Sequence, residues 1–361
     1  MNMSFKWRNF VEMNSFQSGD TMRITRREIL LYCLAGSSST NLFAQSLSPL
    51  ADSHNHFGLL KNHLSDLGQL KALMEKSGVT LLSWSIVPDF PFQKSFNPEA
   101  QTVKQNFEYE LARAIKVTQS NQLKIVKTVQ DISDSEKGIP SVVLTAEGAD
   151  FLAGSMDGLK PAIDAGIQHI QLVHYIKNAV GDIQTEGPQY DGLSPFGKSL
   201  ITKLNTLGVL IDLAHGTEEL VDQAIDLSRV PVIWSHSFLS SDHGQWRARL
   251  PFSRAIGINV AKRIAKSGGA VGLWALGRSF GGGISGYANE IMNMVDKLGP
   301  EHVMFGSDTD GLPNDSVINS FDDLRRVFDE LQKKGLDDKT LKAISYGNYA
   351  RCLKNAFSYK A

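Results

Sequence analysis

Between residues 50 and 308, short apolar runs recur, each followed by a polar or glycine-containing break and then by a stretch with helical spacing. This repetition constrains the fold more than any other feature, because alternating strands and helices build a parallel sheet with helices outside it. Eight good strands are expected: Leu50–His56, Val79–Val87, Val142–Glu147, Ile167–His174, Val209–His215, Val230–His236, Ala270–Ala275 and His302–Asp308. A ninth run, Leu123–Val129, is expected to lie outside the main sheet. Helices are expected over 67–76, 98–118, 195–207, 218–227, 256–266, 287–298 and 321–333, and Gly281-Gly282-Gly283 is expected to form a loop. Gly78, Gly166, Gly208, Gly268 and Gly335 fall where helices must stop in a left-handed residue. No linker, repeat or low-complexity tract interrupts residues 50–357, so one α/β domain is expected over 45–361: a (β/α)8 barrel of the TIM type. An open doubly wound sheet is the alternative, and it lacks the G-x-G-x-x-G turn after the first strand.

The polar residues are placed unevenly along these strands. Six of the eight expected strands end in a group that binds metal or moves a proton: His54 with His56, Glu147, His174, His215, His236 and Asp308. Parallel strands of a barrel direct their carboxyl ends to one rim, so these residues converge on one mouth. A lone histidine at a strand end is more often a satisfied core residue than a ligand. Five of the nine histidines at equivalent strand ends are hard to reconcile with indifferent placement. His63, His169, His243 and His302 lie elsewhere and carry no assigned role. His54 and His56 are two apart, so in an extended strand they leave the same face and can share one ion. Glu147 is the one charge of an otherwise apolar strand, where an unpaired carboxylate is costly and two neighbouring cations offset that cost.

Composition bounds the remaining possibilities. Lys and Arg number 37 against 38 Asp and Glu, so no basic field invites nucleic acid. Cys33 and Cys352 make no disulfide framework and no Cys-rich zinc site, which leaves metal binding to histidine and carboxylate. Near the amino terminus, Thr25-Arg26-Arg27-Glu28-Ile29-Leu30 and a short apolar run read as a twin-arginine export signal, cleaved near Ala44. The run is too short to anchor the chain stably in a bilayer. Residues 1–44 are therefore expected to be removed, and the mature product is expected in the periplasm.

The motifs taken in order resemble the membrane (renal) dipeptidases, zinc metallopeptidases of the amidohydrolase superfamily. They are Asp52-Ser53-His54-Asn55-His56, Ala146-Glu147-Gly148, Leu172-Val173-His174 with Asn178, Gly192–Gly197, Ile211–His215, Ser235-His236-Ser237 and Gly306–Gly311, with Gly347-Asn348-Tyr349 and Arg351 near the end. The resemblance covers nearly all of residues 50–355. It implies a distorted (β/α)8 barrel holding two zinc ions, His54 and His56 on one, His215 and His236 on the other, and Glu147 bridging. It gives His174 a contact with substrate and Asp308 the proton of an attacking water shared by the ions. An arginine after Ser-His-Ser receives the substrate carboxylate, and Arg247, Arg249 and Arg254 are the candidates. The family has aspartate where this chain has His56, so the first ion loses an anionic ligand while ligation itself survives.

The function implied is hydrolysis of the amide bond of small dipeptides. Other hydrolases of the superfamily, acting on a lactone, a cyclic amide or an N-acyl amino acid, keep the same metal site. A non-catalytic periplasmic barrel that binds metal or peptide is the third reading, and it has no need of Asp308 as a proton carrier. The oligomeric state stays open, a homodimer included.

Overall fold

A computed structural model describes residues 47–58, 64–92, 100–240, 254–277, 281–312 and 316–360. The export segment, Arg247, Arg249, His63 and His243 lie outside the described residues. Eight parallel strands follow one another in chain order around a sheet. They are β1 (Leu50–Asn55), β2 (Val79–Ile86), β3 (Ser141–Glu147), β4 (Ile167–Gln171), β5 (Leu210–Asp212), β6 (Ile233–Ser237), β7 (Ala270–Leu273) and β8 (Val303–Phe305). The ring closes where the Asp308 N–H donates to the His54 carbonyl at 2.9 Å and the His56 N–H to the Thr309 carbonyl at 2.9 Å. Asp52 fastens the same seam from inside, its carboxylate accepting from the Ser307 N–H at 2.9 Å and from the Ser307 hydroxyl at 2.5 Å.

Strand alternation decides what faces inward. Ala51, Leu81, Val143, Leu210, Ile233, Ala270 and Met304 pack together inside the barrel, whereas their neighbours Leu50, Leu82, Val142, Leu144, Ile211 and Val303 pack outward against the helices. The inner apolar layer sits toward the amino ends of the strands. It is plugged from below by Tyr346, Tyr349, Cys352 and Leu353 of the C-terminal segment. Toward the carboxyl ends the lining turns polar and wholly buried: Ser83, Ser85, Thr145, His169, Asp212 and Ser235.

The helices are α1 (Leu70–Ser77), α2 (Ala100–Ser120), α3 (Val129–Glu136), α4 (Leu159–Ala165), α5 (Pro195–Leu207), α6 (Glu218–Leu227), α7 (Ile258–Lys266), α8 (Gly283–Leu298), α9 (Phe321–Lys333), α10 (Asp338–Lys342) and α11 (Asn348–Ser358), the last of which carries the plug residues Tyr349, Cys352 and Leu353. The expected bounds of α5, α6 and α9 coincide with the observed ones. Ser194, Thr217 and Ser320 accept hydrogen bonds from the first turns of these helices, which fixes where they start. Two expectations need correction. Residues Lys124–Ile125 are not outside the sheet: β4 begins opposite Leu144, and the free edge at Ser141 and Val142 is filled by the shorter run, with Lys124 opposite Ser141. Of the glycine run, Gly281 and Gly282 form a turn, while Gly283 already opens α8.

Candidate active site

All seven residues picked at strand ends stand at the carboxyl rim of the barrel. Several lie just past the hydrogen-bonded ladder, because the backbone turns there into the left-handed region, at φ 70° for His215 and 56° for Asp308. Such conformations cost non-glycine residues about 1–3 kcal/mol and persist where surrounding contacts enforce them. Asp308 is held by the seam hydrogen bond to His54 described above.

Glu147 is the centre of the cluster. Its Oε1 lies 3.3 Å from His54 Nε2, 3.2 Å from His174 Nε2, 3.4 Å from His215 Nε2 and 3.6 Å from His236 Nε2, while Oε2 lies 3.2 Å from His56 Nε2. Asp308 Oδ1 is 3.1 Å from His56 Nε2 and 3.8 Å from His54 Nε2. The imidazoles also pair with each other, His54 with His56 and His215 with His236, each through Nε2 atoms 3.1 Å apart. Three sets of ligand atoms could each surround an ion: His54, His56 and Asp308; His54, Glu147 and His236; and Glu147, His174 and His215.

The far sides of the rings show what the near sides are for. His56 Nδ1 lies 2.8 Å from the Ser85 carbonyl, which only accepts, so Nδ1 keeps its proton and Nε2 is the nitrogen that becomes bare, and able to bind an ion, once the ring is neutral. The Ser235 hydroxyl meets His236 Nδ1 at 2.8 Å and His54 Nδ1 at 3.3 Å, and the Ser85 hydroxyl also lies 3.3 Å from His54 Nδ1. Hydrogen bonds on one ring nitrogen that turn the other inward are how proteins orient histidine ligands. Bare nitrogens 3.1 Å apart in a buried site repel unless a proton or a cation lies between them. The donor set, imidazole and carboxylate without thiolate, fits a divalent metal of the zinc type.

Electrostatics agree with a site awaiting positive charge. Burial pushes the Glu147 carboxyl up, but the His174 and His54 charges and hydrogen bonds from His215 and His54 outweigh it and hold Glu147 well below the usual carboxylate range. Burial pushes His56 down, and hydrogen bonds to Asp308 and Glu147 more than reverse this, lifting it to about 10. His215 and His236 are held well below the usual imidazole range by burial, with the positive charge of Arg254 adding to the effect on His215.

Of the three arginine candidates, Arg254 is the one among the described residues. Its guanidinium is buried, packs over Tyr175 at 5.5 Å and Trp274 at 5.6 Å, and gives one hydrogen bond to Gln184 at 3.2 Å. Among the described residues its Nε and Nη2 have no partner. A buried guanidinium with donors unused is costly unless an anion completes it, and a carboxylate matches its planar fork. Beside these groups lies a cavity of about 200 Å3, walled by His56, Val87, Phe90, Tyr175, Trp274 and Leu312. That volume suits a small molecule.

Three contributors are absent from the residues picked in sequence. Trp274, just past β7, donates its indole N–H to Asp308 Oδ2 at 2.7 Å. Asp89, in the turn after β2, accepts from His174 Nδ1 at 2.7 Å. Ser235 adjoins His236 in the Ser-His-Ser motif, and only the fold brings it beside His54. His169, given no role, is buried in the barrel between Tyr349 at 3.0 Å and Asp212 at 3.2 Å.

The profile of the membrane dipeptidase family, peptidase family M19, matches residues 41–361, and the chain belongs to that family. Among curated relatives, Dipeptidase tcpJ of Claviceps purpurea is 24% identical over 75% of this chain and 65% of its own length. The chain spans between half and two thirds of the length of the first such relatives. The crystal structure of dipeptidase AC, a metallopeptidase of family M19, superposes with a TM-score of 0.73 at 21% identity, covering 86% of this chain and 98% of that one. A metallopeptidase from Rhodobacter sphaeroides, liganded with a phosphinate mimic of the dipeptide L-Ala-D-Ala, superposes at 0.71 with 20% identity, over 85% of this chain and 99% of that one. These likenesses establish the barrel fold.

Proposed function

We propose that this chain is a metal-dependent dipeptidase, using two zinc ions per chain to hydrolyse the amide bond of small dipeptides. The observation that carries the reading is the convergence of five imidazole Nε2 atoms on the two oxygens of Glu147 beside an incompletely partnered, buried Arg254. His54 and His56 would hold one ion, His215 and His236 the other, with Glu147 shared between them. When bound, such a pair supplies an acidified water and polarises the scissile carbonyl.

The protein's own groups perform the rest. Arg254 receives the substrate carboxylate through Nε and Nη2, which fixes the peptide's direction in the cavity. Asp308 is held by Trp274 through Oδ2, so Oδ1, turned toward the histidine cluster 3.1 Å from His56 Nε2, is the oxygen that takes a proton from the attacking water and returns it to the departing amine. His174 faces the carbonyl oxygen, which gains negative charge as water adds to the carbonyl carbon. One water is consumed, the C–N bond is cleaved, and a carboxylate and an amine leave.

The test is turnover by purified, metal-loaded protein on dipeptides, N-acyl amino acids and lactones, paired with metal analysis. Dipeptide hydrolysis that is lost on chelation and restored by zinc is expected. Activity on lactones or N-acyl amino acids with dipeptides untouched would move the chain to another hydrolase of the superfamily. Inactivity with substoichiometric metal would favour a binding barrel. We further propose export by the twin-arginine route; a periplasmic product starting near residue 45 supports it, and an uncleaved cytoplasmic chain refutes it.

A further inference from the structure

Two strands, β2 and β7, have no polar terminus in the sequence, and the turn beyond β2 supplies Asp89. We propose that Asp89 is a positioning residue for His174, anchoring the ring so that Nε2, and not a ring carbon, faces Glu147 and the cavity. The inference rests on the peptidase reading for what His174 does, but not for how the ring is held.

The geometry is specific. Asp89 Oδ1 accepts from His174 Nδ1 at 2.7 Å, and Oδ2 accepts from the Tyr175 backbone N–H at 3.2 Å. Both oxygens of one fully buried carboxylate thus hold two successive residues of the β4 turn, 85 positions away in sequence. With Nδ1 committed as donor, Nε2 is the remaining ring nitrogen, and it lies 3.2 Å from Glu147 Oε1. Flipping the ring by half a turn would break the bond to Asp89 and set carbon against Glu147. The same anchor fixes Tyr175, whose ring lies under Arg254, so one carboxylate sets two walls of the cavity. A side chain locked by such a partner reaches reactive geometry without searching for it, and misplacement by about 1 Å costs on the order of 100-fold in rate.

Asp89→Asn is the informative change because it nearly preserves volume. An amide offers one oxygen, which can serve His174 or the Tyr175 N–H but not both, and its NH2 then faces a donor. In the metal-loaded full chain, kcat on a dipeptide should fall by about 10- to 100-fold with metal content unchanged. In a His174→Ala background the same change should cost kcat only about twofold, because the His174 ring is gone and only the hold on the Tyr175 backbone remains to be lost. Unchanged kcat, or an equal loss in both backgrounds, overturns the proposal. Proton NMR offers a reading independent of turnover and of whether Asp89→Asn folds. The wild-type chain should show a far-downfield exchangeable His174 Nδ1–H signal that His174→Ala abolishes. Absence of that signal in the wild type refutes the anchor. Presence of the signal in a chain that hydrolyses no dipeptide would sink the peptidase reading and leave the anchor standing.

Discussion

Metal uptake should be coupled to proton release, and His56 sets the size of the effect. In the metal-free cluster His56 sits at about 10, since its hydrogen bonds to Asp308 and Glu147 outweigh the opposing effect of burial. To become a ligand through Nε2 it must lose that proton. At every pH below about 10 the proton competes with the ion, so affinity rises with pH, about tenfold per unit from His56 alone. At pH 7 the competition amounts to about 3 units, or roughly 4 kcal/mol taken from the intrinsic affinity. Between pH 6 and pH 8 the apparent zinc affinity should therefore rise by about 100-fold on this account. Chelator competition measures the affinity, and calorimetry in buffers of different ionisation enthalpy counts the protons released. The family's aspartate at this position provides the control: in His56→Asp the ligand is already anionic at neutral pH, and the pH slope should flatten. A wild-type affinity that is level from pH 6 to 8, with no proton release, would refute this reasoning.

Three further outcomes are expected. Asp308→Asn should retain metal yet lose turnover by about 100-fold or more, because its amide can still accept from Trp274 but cannot carry the proton; unchanged turnover would remove its assigned role. Arg254→Met should raise KM for free dipeptides by about 100-fold while sparing substrates whose carboxylate is amidated, as steady-state kinetics on the two substrates would show; equal losses on both would refute carboxylate recognition. Asp150 is buried with neither carboxylate oxygen partnered, and burial with the nearby Asp89 charge pushes its carboxyl up to about 8. The folded state thus holds a proton that the unfolded chain releases near 3.8, and stability drains away as pH rises from about 4 to 8. Asp150→Asn should raise the melting temperature at pH 7, by up to about 4 kcal/mol in stability, and do little at pH 4; a pH-independent effect would contradict the cause given.

Much of this architecture was legible because it is written in local patterns. Short apolar runs marked the eight strands, and glycines marked where helices stop, as Gly208 does in a left-handed residue after α5. His54, His56, Glu147, His174, His215, His236 and Asp308 could be grouped before any coordinate, since a barrel sends all strand ends to one rim. The residues that escaped notice act across the chain. Asp89 has no apolar run to end and becomes meaningful only when the β2 and β4 turns meet. Trp274 reads as ordinary core until its indole is seen beside Asp308. The plug of the barrel floor, with Tyr346 and Tyr349 turned inward, has no strand pattern to announce it. Short helices such as α3 and α4 were missed because one or two turns leave too few periods to recognise. The left-handed turns at His215 and Asp308 lie past the last ladder residues, Asp212 and Phe305, so the apolar runs that end on them overstate the strands' length.

The most direct test is a crystal structure of the zinc-loaded chain with anomalous scattering recorded at the zinc edge. Two peaks within about 4 Å of each other are predicted, one beside His54 and His56, the other beside His215 and His236, with a Glu147 oxygen on each. A single ion elsewhere, or two ions with Glu147 bound to neither, would contradict the account.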